Sequence, residues 1–282
     1  MNTLEQYSLK VYFENTKAID SIYNYVIKKF PKKYGYYTKN QKYNLRTIVT
    51  ELIYFIQSGV SYKNYRGPIN AKTLNSHALF FSKNRIFEKV YELRHNVYLD
   101  SKTATKFKYQ SLDTSYIMNK NGKEDIGRNK HFKNKNCFKL STIVDSNGVP
   151  LSVSINPGNN NDAKIGEIDI DNIGYQVKEI NEFCRPYMLA DKMYDTKNFR
   201  EKCIKSNYRP IIDYNKRNTK DEKLIKRLTK KQRKIYKKRI VVENRFCIIK
   251  KYKRLQLIYD SYSKTYLSFV YLALCCMIEK YF

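Results

Sequence analysis

The sequence predicts a mixed α/β protein: a helical N-terminal part, then a mixed sheet with helices packed on its faces. Three observations predict it. Up to about residue 104, apolar residues recur at helical spacing. From about residue 108 the pattern changes to strands, two of them joined by a strong turn signal. After those strands, helical and strand patterns alternate, which adds parallel strands to an antiparallel start.

Leu45–Gln57 (LRTIVTELIYFIQ) carries apolar residues on one helical face, and Gly59 is its stop signal. A turn at Gly67-Pro68 precedes two further helical patterns, Thr73–Phe81 and Asn84–Tyr98. Short helices with tight turns in a basic protein fit a helix-turn-helix-like module that binds DNA ends; a purely structural helical cap is the alternative. The expected boundary falls at residues 104/105, with 105–282 forming the second domain.

Tyr109–Met118 reads as a strand around Leu112-Asp113-Thr114. Phe138–Val144 and Val149–Ile155 are two more, joined by Asp145-Ser146-Asn147-Gly148 as a hairpin. A loop, Asn156–Asp162, leads to a helix near Ala163–Ile168. A short strand, Tyr187–Ala190, ends at Asp191. A helix near Thr196–Ser206, a strand Pro210–Asp213 and a long basic helix from about Asp221 to Tyr252 follow. The apolar stretch Tyr266–Ile278 is shorter than the roughly 20 residues that span a bilayer and reads as a buried terminal helix.

Composition narrows the function. Lys and Arg number 55 against 26 acids, a net charge of +29, and a protein this basic meets a polyanion, most commonly nucleic acid. An anionic membrane surface is the rival partner, but no amphipathic basic helix or lipidation motif stands out. The mixed N-terminus argues against a signal peptide, so an intracellular protein is expected. The six cysteines form no CxxC pair or zinc spacing and read as reduced thiols.

The basic helix carries the strongest signal. Tyr236, Arg239, Glu243 and Lys250 lie at successive offsets of 3, 4 and 7, within an arc of roughly 60°. Beside them runs an apolar stripe, Ile235, Val242, Phe246 and Ile249, able to bury and fix the polar face. A carboxylate among cations suits a phosphate-cutting site, the acid holding a divalent metal and the cations gripping phosphates. Taken alone, Arg239 and Glu243 read better as an i,i+4 ion pair on a solvated face, since such pairs are common and weak.

The set does not stand alone. Its spacing, Y-x2-R-x3-E-x6-K, resembles the Tyr-Arg-Glu-Lys signature of bacterial insertion-sequence DDE transposases. LDTS at Leu112–Ser115 and GRNKHFKNKNCFKLSTIVDSNGVPLSVSINPGNNNDA at Gly127–Ala163 look like that family's first catalytic region. LADKMYDTKNFREKCIKSNYRPII, Leu189–Ile212, looks like its second. The resemblance covers about residues 105–280. It implies an RNase H-like core, with the first Asp on the first strand, the second at the end of the fourth, and the Glu on the helix after the fifth.

The resemblance also implies roles. Asp113, Asp191 and Glu243 would be the catalytic acids, holding two Mg²⁺ (or Mn²⁺) ions. Tyr236, Arg239 and Lys250 would position phosphates around the cut end. Lys192 would do the same unless it is a plain surface lysine. A basic cluster, Arg128, Lys130, His131, Lys133, Lys135 and Lys139, matches a basic stretch of the family and would touch phosphates. Among rival acids, Asp145 suits its turn, Asp162 suits a helix cap, and Asp195 reads as a cap or a support behind Asp191, and as the replacement ligand should Asp191 not serve. The expected partners are double-stranded DNA, both terminal inverted repeats and target, and a second copy of the chain in the paired-end complex. A DNA-binding protein without activity and an RNase H-like nuclease without strand transfer are the alternatives. Residues Lys216–Arg254 hold 18 Lys or Arg and three acids, so this run is expected to lie along DNA.

Overall fold

Asp145 builds the hairpin that the sequence predicts. Its carboxylate accepts the N–H groups of Asn147 and Val149 at 2.9 and 2.8 Å, and Gly148 takes the left-handed φ of 80° that closes the turn. A computed structural model describes residues 3–35, 42–101, 108–119, 121–130, 134–173, 185–215 and 227–282. Several expectations fall outside these: the positions of His131, Lys133 and Cys184, and the start of the basic helix near Asp221.

Around that turn, β3 (Lys135–Val144) runs antiparallel to β4 (Pro150–Pro157) and, on its other edge, to β1 (Tyr109–Met118). A three-residue strand, β2 (Gly127–Asn129), pairs with the start of β3; no periodic pattern in its sequence marked it. β5 (Tyr187–Ala190) lies parallel to β1, and β6 (Arg209–Ile212) parallel to β5. Four strands paired antiparallel, β1 to β4, and two added in parallel, β5 and β6, make a six-stranded mixed α/β sheet compatible with an RNase H-like core.

The parallel connections carry helices, as crossovers require. α7 (Asp162–Asp171) lies between β4 and β5, and α8 (Lys197–Lys205) between β5 and β6. Leu112, Ile143, Met188 and Ile212 of the sheet pack with Ala163, Ile170, Phe199 and Cys203 of these helices in one apolar core. The basic region after β6 is not a single helix. α9 (Lys230–Tyr236) and α10 (Ile240–Lys251) are separated by a 3₁₀ turn, Lys237–Arg239. On α10 the expected stripe is buried at Val242, Phe246 and Ile249, while Ile235 on α9 is half-buried.

The chain divides into two compact units, Ala104–Ile248 and a second made of Met1–Thr103 with Ile249–Phe282. The second unit contains α1 (Thr3–Glu14), α2 (Thr16–Lys29), α3 (Pro31–Tyr34), α4 (Leu45–Ser58), α5 (Ala71–Lys83), α6 (Ile86–Asp100), α11 (Lys253–Gln256) and α12 (Ser263–Ile278). In this division the C-terminal helix groups with the N-terminal helices. The reason is the character of α12: it is buried on all sides, from Tyr266 through Ile278, and must be covered all round. Helices α2, α4, α5 and α6 supply that cover. Within this unit Arg254 is 1% exposed, bonded to Asp260 at 3.0 Å and to the Val60 carbonyl at 2.9 Å, with its guanidinium 4.2 Å from the centre of the Phe55 ring.

Candidate active site

Alternation along β1 decides where Asp113 points. Leu112 turns into the core beneath α7 and α8, so the next side chain emerges on the opposite face. There Asp113 Oδ2 accepts Arg239 Nη1 at 3.0 Å, and its Oδ1 accepts the N–H of Thr114 at 2.9 Å. The same guanidinium donates through Nη2 to Glu243 Oε1 at 2.5 Å. One arginine thus joins an acid from the first strand to an acid 130 residues later on α10. The 3₁₀ turn brings Arg239 there, at the junction of α9 and α10.

Asp191 reaches the same region through the sheet. The parallel register pairs Ser111 with Leu189; two residues further along each strand stand Asp113 and Asp191. Asp191 begins the 3₁₀ turn Lys192–Tyr194, its Oδ1 accepting the Lys192 N–H at 2.5 Å. Its charge is felt by its neighbours. Burial pushes the Asp113 carboxyl up to about 6; Asp191 adds to that rise, while Arg239 and the Thr114 N–H oppose it. Burial also raises the Tyr236 phenol, with Arg239 lowering it and Asp191 and Asp213 raising it. Burial works against the Arg239 charge, but Asp113, Tyr236, Glu243 and Asp191 outweigh it and hold the guanidinium protonated. Tyr236 lies against it, ring centre to guanidinium 5.9 Å.

The other expected residues divide. Lys192 is exposed immediately beside Asp191, and Arg128 and Lys130 are exposed on and just after β2. Lys250 lies in the last turn of α10, within the second compact unit. Lys139 is a correction. It is 3% exposed, its ammonium bonded to Asp162 at 2.7 Å and to the Asn160 carbonyl at 2.6 Å. Paired in register with Tyr116, it faces α7 and is held there by its own acid, not presented to a phosphate. Asp162 is accordingly not the cap of α7; Asn161 is, accepting from Ala163 and Lys164. Asp145 serves its turn. Asp195 is not a helix cap either: Thr196 caps α8, and Asp195 pairs with Arg200.

Asp213 was not foreseen as part of this region. It follows β6 as Asp191 follows β5, and the register Ala190 to Ile212 sets the two side by side. An acid at each of two adjacent parallel strand ends was the available signal.

The family model of the transposase DDE domain matches residues 96–278. The chain belongs to the DDE transposase family. No curated protein and no solved structure matches it. As a DDE transposase it is an enzyme acting on DNA, of a family that works with divalent metal ions. No helix among the described residues is long and apolar enough to cross a membrane.

The donor chemistry fits such an ion: every candidate ligand is a carboxylate oxygen, the class that Mg²⁺ and Mn²⁺ prefer. The geometry adds a condition. Among the described residues no three acids stand within ligating reach of one point, and the Arg239 guanidinium bridges Asp113 and Glu243. Arg239 occupies one oxygen of each acid, Asp113 Oδ2 and Glu243 Oε1.

Proposed function

We propose that this transposase cuts the ends of a mobile DNA element and joins the freed 3′-hydroxyls to target DNA, using Asp113, Asp191 and Glu243. The observation that carries the reading is the single guanidinium shared by Asp113 and Glu243, with Asp191 beside Asp113 in the sheet register. Acids from a strand, a strand end and a helix have no structural need to meet. Burial and the nearby charge of Asp191 raise the Asp113 carboxyl, a cost of the kind found where chemistry is done.

The three carboxylates would hold the divalent ions. When bound, such ions activate a water or hydroxyl oxygen for in-line attack on phosphorus and stabilise the leaving oxygen. The chain's own cations do the rest. Arg239, released from Asp113 and Glu243, offers a planar fork to a phosphate. Lys192 adds a flexible ammonium beside Asp191, and the Tyr236 phenol, held neutral, can donate to a phosphate oxygen without repelling it. Arg128 and Lys130 extend the grip along the backbone, as does Lys250 at the end of α10. In this reading the helical segment 1–104 binds the element's ends, and two copies act on paired ends.

A strand-transfer assay tests the reading. Pre-cut duplexes carrying the DNA that flanks the gene, incubated with supercoiled plasmid and Mn²⁺, should become covalently joined to it. Plasmid cleavage without joining would leave a nuclease and refute the transfer step.

A further inference from the structure

The acid expected either to cap a helix or to support Asp191 is one half of a bracket. Asp195 Oδ1 accepts Arg200 Nε at 2.8 Å and also meets Nη2 at 2.7 Å, while its Oδ2 accepts the Asn215 N–H at 2.9 Å. Arg200 Nη2 also donates to the Ile212 carbonyl at 3.1 Å. This pair of side chains therefore ties together three segments: the turn after β5, the helix α8 and the chain leaving β6. The Asp195 side chain is 12% exposed and that of Arg200 35%, so the carboxylate end of the link is the better shielded from competing water.

The turn held in this way is the one that starts at Asp191. The Asp191 carbonyl accepts the Tyr194 N–H at 2.9 Å, and the Lys192 carbonyl accepts the Asp195 N–H at 3.1 Å. Tyr194 pins one side of the turn in the core, its ring 5.4 Å from that of Phe199. Asp195 pins the other side to Arg200. Among the described residues Asp191 makes no side-chain ion pair; its carboxylate accepts the Lys192 N–H at the head of a five-residue turn anchored at the far end.

We propose that Asp195 and Arg200 are positioning residues for Asp191, holding the turn so that the Asp191 carboxylate meets Asp113 and Glu243 in working register. This rests on the assignment of Asp191 to the chemistry. Displacing a reacting group by about 1 Å costs on the order of a hundredfold in rate. Arg200 is suited to the task because its fork reaches a carboxylate and a backbone carbonyl at once; lysine keeps the charge but loses the fork.

The test uses the full-length protein with Asp195→Asn, Arg200→Gln and Arg200→Lys. Mn²⁺ binding is read by the free-ion electron paramagnetic resonance signal, nicking on supercoiled plasmid, plasmid affinity by mobility shift, and Tm by calorimetry. Asp195→Asn and Arg200→Gln should weaken Mn²⁺ binding about tenfold and slow nicking about a hundredfold. Plasmid affinity should stay within about twofold, and Arg200→Lys should recover part of both losses. Nicking and Mn²⁺ binding within about twofold of the parent in all three would overturn the proposal. So would losses that only track Tm and plasmid affinity, which is what a general prop would give, with Arg200→Lys as the mildest probe if the others fail to fold. Asp191→Asn separates the two levels. If it nicks normally, the assignment of Asp191 falls; if it is inactive while Asp195→Asn is unaffected, the bracket alone falls.

Discussion

Arg254→Ala removes a cation that is buried and bound on several sides. The parent guanidinium is 1% exposed, holds Asp260 at 3.0 Å and the Val60 carbonyl at 2.9 Å, and lies over Phe55. Truncation leaves the Asp260 carboxylate buried without its cation. Breaking one partner of a buried pair costs about 3–5 kcal/mol, a large part of the 5–15 kcal/mol that holds a typical domain together. The penalty should depend on pH. Burial already raises the Asp260 carboxyl and Arg254 restrains that rise, so removing Arg254 lifts the folded value further above the unfolded one, about 3.9. A raised acid contributes stability below its unfolded value and loses it as pH climbs through its folded value. The deficit of Arg254→Ala should therefore be largest near pH 8 and shrink toward pH 5. Urea unfolding of parent and variant at the two pH values measures it, with Arg254→Met/Asp260→Asn as the charge-free control. A deficit under about 1 kcal/mol at pH 8, or one that does not change with pH, would refute the reasoning.

Four further outcomes follow from the same geometry. Burial lowers His95 to about 4, and its Nε2 has no hydrogen-bond partner among the described residues. A lowered histidine destabilises as pH falls from its unfolded value near 6.5 toward 4, by up to about 3 kcal/mol. His95→Phe should flatten that limb of the stability curve; a curve parallel to the parent's would count against it. Lys139→Met should destabilise by about 2–3 kcal/mol, because Asp162 loses its cation, yet leave the salt dependence of DNA binding unchanged. Arg128→Ala and Lys130→Ala should do the reverse, each lowering the log–log salt slope by about 0.9 with little change in urea unfolding; a reduced slope for Lys139→Met would restore it as a phosphate contact. Gly148→Ala should cost about 1–2 kcal/mol in urea, since φ is 80° and the new methyl meets Arg245 and Val241; an unchanged midpoint would mean that the turn can reform.

Much of the fold was readable because local chemistry and tertiary structure agree. Asp145 and Gly148 specify a hairpin by themselves, and Gly59, with φ of 74°, stops α4 where the periodicity ends. Motif resemblance singled out Asp113, Asp191 and Glu243, and parallel strands implied the register that sets the first two near one another. Other features depend on partners distant in sequence. Lys-Lys-Arg at 237–239 has good helical propensity, so nothing local announced the 3₁₀ turn that brings Arg239 to both Asp113 and Glu243. Lys139 alternates like a surface residue, and only the position of α7 makes its face an inner one. The apolar pattern of α12 shows that it must be covered but does not say by which helices. β2 is too short to carry a period.

Glu243→Gln measured for Mn²⁺-dependent nicking of supercoiled plasmid, beside plasmid affinity, tests the set of three acids most directly. Gln keeps the shape and can still face Arg239, but it removes the charge. The account predicts a loss of at least about a thousandfold in nicking with affinity within about twofold. Nicking at the parental rate would mean that Glu243 does not take part in cutting DNA, and that its pairing with Arg239 is a surface ion pair and nothing more.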